Sequence, residues 1–349
     1  MKEIYMEYAL DQLQKLVEIP SPSGFTSGIS AYVRDRLISM GYTPVTTAKG
    51  GIMAELGGRD EGDGIMLCSH MDTLGAMVMT LKDNGRLKLA PIGGLSPNNA
   101  ETENITIHTR SGKTYTGTFQ LENPAAHVNK DYNEKTRSFD NMEAVIDEKT
   151  AKRDETLALG ISAGDFVSFE PRFVITESGY IKSRFLDDKL SCAILLALAK
   201  QLKEENSVPA RRTMIYLTVY EEVGHGAGGS LPAGINEMLA VDMGCVGEGL
   251  NCEETMVSIC AMNSRGPSTY EVVDALVEGA KAENLNYCVD VYPFYGSDAD
   301  LAVRAGNEIR HCTMGAGVSA SHGYERSHVE GLRNTYDLVY AYIMNERQN

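Results

Sequence analysis

Apolar residues at Ile4, Tyr8, Leu13, Leu16 and Val17 recur at close to helical spacing and predict a helix over 3–18. The segment Pro20-Ser21-Pro22-Ser23-Gly24 stops it. A second helix is predicted over 29–40, ending near Gly41. Two short apolar runs, 51–56 and 64–69, have the character of strands, and the second delivers His70 at its carboxyl end. From about Thr73 to Glu177 the texture changes. Short alternating runs at 76–79, 86–89, 104–107 and 166–169 are separated by Gly, Asn and Asp, which predicts an all-β barrel or sandwich. The stretch 129–152 is polar, with room for a helix near its end. Helix and strand then alternate: helix 189–204, strands 213–220, 238–242 and 256–262, helix 268–283, strand 287–292, helix 298–305, strand 309–314 and helix 329–345.

This order predicts an α/β fold with a mixed, mostly parallel sheet covered by helices on both faces. The main domain is expected from 1–73 together with 178–349, interrupted by a small barrel-like β insert over 74–177. A chain of 349 residues is long enough for one large and one small core. No internal repeat or low-complexity tract stands out.

Composition narrows the partners. With 43% hydrophobic and 23% charged residues, the chain matches ordinary globular protein. The formal net charge of −16 argues against nucleic acid, which needs a cationic face. No apolar run is long enough to span a membrane, and Glu3 and Glu7 interrupt the N-terminus, so neither a membrane segment nor a signal peptide is expected. The seven cysteines form no C-x-x-C pair, as expected of small buried residues in a reducing cytoplasm.

The chemistry concentrates in a few residues at the edges of predicted elements. His70 and Asp72 form H-x-D after a strand, where Asp72 can orient the imidazole through one nitrogen and leave the other free. Asp187-Asp188 opens an apolar helix; such a pair often caps a helix, and a carboxylate there can also bridge two cations. Glu221-Glu222 closes a strand, and two adjacent carboxylates there repel unless cations or a proton intervene. Both can serve one site only if the strand bends. Asp242 ends another strand, facing the crevice at the sheet's carboxyl edge. His322 follows the last strand; His328, near the start of the last helix, is the weaker candidate. Histidine and carboxylate together suit zinc, cobalt or manganese, and a spare carboxylate beside them suits a proton acceptor. Gly224 to Gly229 spells G-x-G-x-x-G, but Pro232 and Gly234 break the helix a dinucleotide site requires.

These motifs, with Ile19 to Gly24, Gly75 to Val78, Pro91 to Gly94, Gly164 to Val167 and Gly296-Ser297-Asp298-Ala299, resemble the tetrahedral (TET) aminopeptidases of peptidase family M42 over nearly the whole chain. These enzymes are also known as glutamyl aminopeptidases or endoglucanases. The chain departs from the family pattern at Thr73-Leu74, where an acidic pair is usual, and around His322, as a divergent subgroup would. The resemblance implies two divalent ions per subunit, zinc or cobalt. His70 and Asp242 would hold one, Glu222 and His322 the other, and Asp187 would bridge them. It implies Glu221 as general base and Asp72 as the residue orienting His70. It also implies peptide substrates with a free N-terminus, a dimerisation role for the β insert, and a homo-oligomer, from dimer to dodecamer. Two other readings are a related di-metal deacylase or carboxypeptidase, and a non-catalytic assembly protein on the same fold.

Overall fold

The computed structural model describes residues 1–346. These residues divide into two compact units: 1–72 with 172–346, and Thr73–Pro171.

The first unit is built on a twelve-stranded sheet. At its centre lie four strands, Arg211–Thr218, Asp60–His70, Ile235–Val246 and Arg310–Ser319, all parallel to one another. Antiparallel strands extend it on both sides, Ile52–Gly57 against Arg211–Thr218 and Val257–Asn263 against Arg310–Ser319. The central strands alternate between two apolar layers. Ile65, Leu67, Ile215, Leu217, Leu239 and Val241 enter the larger core; Met66, Cys68, Met214, Tyr216, Met238 and Ala240 enter a smaller one. Side chains of a strand point alternately to opposite faces, so both faces must be covered. Helix Leu186–Glu204 is buried along most of its length and packs against helices Glu3–Glu18 and Val329–Met344 as well as the sheet. Helix Asp298–Arg304 contributes Ala299 and Ala302 to the smaller core.

Helix Glu3–Glu18 has its predicted bounds, because Met6, Leu13, Leu16 and Val17 fall on one buried stripe. Two strands run further than predicted. Asp242 lies within strand Ile235–Val246, and the strand predicted over 309–314 continues to Ser319. The glycines in the added stretch are close-approach positions. A Cβ on Gly315 would lie 1.9 Å from the Asp242 carbonyl oxygen, and one on Gly317 would lie 2.1 Å from that of Glu253. The strand predicted over 213–220 has the same length but begins and ends two residues earlier, Arg211–Thr218.

The second unit is a closed six-stranded antiparallel barrel of Gly75–Leu81, Leu87–Ile92, Met142–Ile146, Thr114–Leu121, Asn104–His108 and Phe166–Phe169, in that spatial order. Val78, Leu89, Ile107, Phe119, Ala144 and Val167 are buried in it. Thr114–Leu121 and Met142–Ile146 escaped sequence reading; Gly117 interrupts the first because Val145 approaches it there, with 2.4 Å between a built Cβ and the Val145 carbonyl oxygen. The short helix Arg153–Ala158 begins just past the polar stretch.

At the amino-terminal end of the four central strands sits a buried, charge-balanced network. Arg211 donates to Glu237 at 2.7 and 3.2 Å and to Asp63 at 3.3 Å. Arg310 donates to Glu237 at 3.0 Å and also reaches Asp63, and the Tyr342 hydroxyl donates to Glu237 at 2.7 Å. Burial works against the Glu237 carboxylate, but the Arg211 hydrogen bonds and charge outweigh it and hold its pKa below the ordinary 4.5. A carboxylate held low in the folded state stabilises above its ordinary pKa and loses that contribution as pH falls through the folded value. Glu237→Ala is expected to cost about 3–5 kcal/mol in urea unfolding at neutral pH. It should also flatten the decline in stability below about pH 4.5 that the native protein shows.

Candidate metal centre

Register brings the candidate residues to one edge. His70 ends its strand opposite Thr218, and Ala240 pairs with Cys68, which carries Asp242 to the level of His70. His70 and Asp242 share the parity of Cys68 and Ala240, so both project to the face of the smaller core.

His70 is buried between two anchors. Its Nδ1 lies 3.0 Å from the Asp72 backbone carbonyl, with the Asp72 carboxylate at 3.7 Å. That leaves Nε2 facing the site, 3.1 Å from Asp187 Oδ1 and 3.9 Å from Glu221 Oε2. Asp72 itself accepts the Ser23 hydroxyl on one oxygen and the Glu221 N–H on the other, at 3.2 Å. Asp72 therefore ties the loop after the first helix to both His70 and the Glu221 backbone.

Asp187 and Asp188 have non-helical dihedrals ahead of the helix that follows, and their peptide is cis. Asp187 turns its second oxygen to His322, whose Nε2 lies 3.7 Å from it and 3.6 Å from Glu222 Oε2. Asp187 thus presents one oxygen to each histidine. Glu325 fixes the segment opposite. It accepts the Asp187 N–H and the His322 N–H, each at 3.1 Å. His322 itself sits in a tight turn at φ 63°. His328 faces elsewhere: it caps helix Val329–Met344 through the Glu330 N–H and its Nε2 lies 2.8 Å from the Ser178 carbonyl.

Glu221 and Glu222 do not continue the strand. Tyr220 adopts a left-handed conformation, and Glu221–Val223 form a 3-10 turn closed by Gly224, also left-handed. The turn breaks the alternation of the strand, so Glu221 reaches toward His70 while Glu222 reaches His322.

The sequence did not single out Asp188 or Glu325. Asp188 accepts the Ser69 hydroxyl and the His70 N–H with one oxygen, while its other oxygen is buried without a hydrogen-bond partner. Its adjacency to Asp187 was the available signal. Asp298, whose motif lay within the resemblance, is buried and accepts the Ala227 N–H at 2.6 Å.

The electrostatics are those of a cation site. Burial, then neighbouring carboxylates, push Glu222 and Asp188 well above the carboxylate range. Burial does the same to Glu221, with Asp298, Asp242 and Asp187 adding to it against the pull of His70. Asp242 is pushed up to about 7, by burial and then Asp187. Asp187 goes the other way: burial raises it, but its hydrogen bond to His70 and the charges of both histidines bring it below 3.8. Burial disfavours a charged His70, yet the hydrogen bond to Asp187 and the surrounding carboxylates hold its pKa well above 6.5. Two donor sets converge within 4.8 Å, His70 with Asp188 and Asp242, and His70 with Asp187 and Glu222. Buried like charges with one orphaned carboxylate oxygen fit divalent cations, which would supply the missing positive charge.

A family model described as M42 glutamyl aminopeptidase matches residues 50–338. A Bacillus subtilis protein named "Putative aminopeptidase YhfE" is 43% identical over 334 residues, covering 96% of each chain. The glutamyl aminopeptidase of Lactococcus lactis is 27% identical over 219 residues, covering 61% of this chain and 60% of its own. Among solved structures, the TET1 peptidase of Pyrococcus horikoshii, described as assembling into a tetrahedron or a large octahedral shell, shares the fold. Its TM-score is 0.85 at 20% identity, over 97% of this chain and 100% of its own.

A carboxyl group whose pKa is raised on folding contributes stability in full below its ordinary value and loses it as pH rises through the folded value. In chelator, thermal stability should therefore decline between about pH 4 and pH 7, the interval set by Asp242. Asp242→Asn should make the decline shallower, and a divalent salt at pH 7 should restore the melting temperature. A flat profile in chelator would count against the carboxylate assignments.

Proposed function

We infer, since this chain belongs to the M42 glutamyl aminopeptidase family and is a peptide hydrolase, that it removes residues one at a time from the free N-termini of peptides at a paired divalent-metal centre. Membership in this family implies divalent ions. The single observation that carries the paired centre is Asp187, which offers one oxygen toward His70 and the other toward His322. On this reading His70 and Asp242 hold one ion, Glu222 and His322 the other, and Asp187 is shared. Zinc fits the donors, as do cobalt and manganese. The ions, when bound, acidify a water and polarise the scissile carbonyl.

The chain's own residues do the rest. Glu221 stands within the cluster but is not needed in either ligand set, so it is the group available to take a proton from the attacking water and return it to the leaving amine. Without cations, burial first and then the neighbouring carboxylates raise its pKa; cations beside it would bring it back toward the range in which a carboxylate can accept a proton. Asp72 positions two partners at once: its backbone carbonyl sets the tautomer of His70, and its carboxylate holds the Glu221 N–H.

We also assign the main unit as the catalytic domain and the barrel unit as its dimerisation element; the assemblies described for the P. horikoshii protein support the homo-oligomer itself. Seven unbridged cysteines support action in the cytoplasm.

Glu221→Gln is expected to keep its metal and to lose about 100-fold or more in kcat; turnover within tenfold of the native protein would exclude it as the proton acceptor. Asp187→Ala should lose at least one ion per chain by elemental analysis. Peptides with a free amine should be cleaved while their N-acetylated forms are not. Cleavage of both would favour a related amide hydrolase, and cleavage of neither a non-catalytic assembly protein.

A further inference from the structure

The loop that carries Glu221 and Glu222 is gripped from behind by a carboxylate. Asp298 is 2% exposed. One oxygen accepts the Ala227 N–H at 2.6 Å; the other accepts the Thr218 hydroxyl and lies 3.5 Å from the Cys68 thiol. Gly226 is packed so tightly on this carboxylate that a Cβ there would lie 2.2 Å from Oδ1. Helix Asp298–Arg304 does not require the group, because Ser297 and Asp300 already form its capping box.

The two main contacts of Asp298 bracket the turn. Thr218 is the last residue of its strand, opposite His70, and its carbonyl accepts the Met71 N–H at 2.9 Å. Ala227 lies just past the turn. Between them the chain reverses through left-handed Tyr220, the Glu221–Val223 turn and left-handed Gly224. Two further contacts hold the same loop. The Lys49 ammonium donates to the carbonyls of His225 and Gly226, and the His225 ring stacks on Tyr220 with centroids 4.8 Å apart. With both oxygens occupied and almost no exposed surface, Asp298 is not placed to receive a substrate ammonium.

We propose that Asp298 is a positioning residue. It clamps the two ends of segment 218–227 and so fixes where Glu221 and Glu222 stand, acting through hydrogen bonds rather than through charge on the substrate. The proposal rests on the reading of Glu221 as proton acceptor for its effect on turnover, but the clamp itself is a statement about the loop.

The test compares Asp298→Ala, Asp298→Asn, Gly226→Ala and the double variant Gly226→Ala/Asp298→Ala in kcat and KM on a free peptide. Amide hydrogen exchange over 219–229 is measured in the metal-free proteins. Asp298→Ala should lower kcat about 10- to 100-fold, the scale of a misplaced catalytic group. KM should stay unchanged, and exchange should rise over 219–229 while helix Leu186–Glu204 stays protected. Asp298→Asn should recover most of the kcat, since the amide keeps an acceptor for Ala227 and its NH2 can face the Thr218 oxygen. Gly226→Ala should mimic the loss by pushing on the carboxylate, and the double variant should cost less than the sum of the two. A raised KM with kcat retained, no rescue by asparagine, additive losses, or unchanged exchange over 219–229 would overturn the clamp. If Asp298→Ala does not fold, Gly226→Ala and Asp298→Asn still decide. If Glu221→Gln keeps its turnover, the proton-acceptor reading fails while the exchange result still judges Asp298.

Discussion

Buried negative charge must be balanced, and this requirement organises the main unit. Its four central strands share a direction and begin at one edge, where Arg211 and Arg310 neutralise Asp63 and Glu237 within the protein. They end at the other edge with Asp187, Asp188, Glu222 and Asp242 gathered around His70, and with Glu221, Asp72 and Glu325 close by. There the protein supplies too little positive charge of its own. One edge is closed chemistry; the other is open to cations. The same sheet anchors both, and the open edge adds side chains from the turn after Thr218 and from the segment that enters helix Leu186–Glu204.

The open edge has a layered construction. The residues that face the cluster are held by others that do not. Ser23 holds Asp72, Asp72 holds His70 and the Glu221 backbone, and Glu325 holds the backbones of both Asp187 and His322. Each link fixes a dihedral or a tautomer before any ligand arrives, which lowers the cost of ordering the site at the moment of binding. The backbone cooperates through left-handed residues at Tyr220 and His322, positions where a side chain costs free energy and is retained only when the surroundings impose it.

Much of this was legible in the sequence because the relevant signals are local. A strand's apolar run followed by a polar residue marks an edge, and His70 is found at such an edge. The helix after Asp187-Asp188 follows from its unbroken apolar face. What was illegible is long-range or concerns packing. The strand over 309–314 runs on through Gly315 and Gly317, and only the approach of the Asp242 and Glu253 backbones shows why it needs glycine there. Glu325 has no local pattern, since its role exists only once Asp187 is brought to it from far away in the chain. The bend that lets Glu221 and Glu222 share a site was recognised as a requirement, yet its form depends on Tyr220 tolerating a left-handed conformation, which no propensity favours.

The strand order also sets when the two donor sets can come together during synthesis. Asp60–His70 lies between Arg211–Thr218 and Ile235–Val246, both encoded beyond the entire barrel. On the ribosome the barrel segment is complete and contiguous first, while the strand bearing His70 waits with both edges unpaired. Every other donor in the two sets comes from the later half, so the sets are complete only once Asp242 has been made. The donor sets are therefore completed late in synthesis, and a nascent polypeptide stalled midway would expose an apolar ribbon instead of a half-built enzyme.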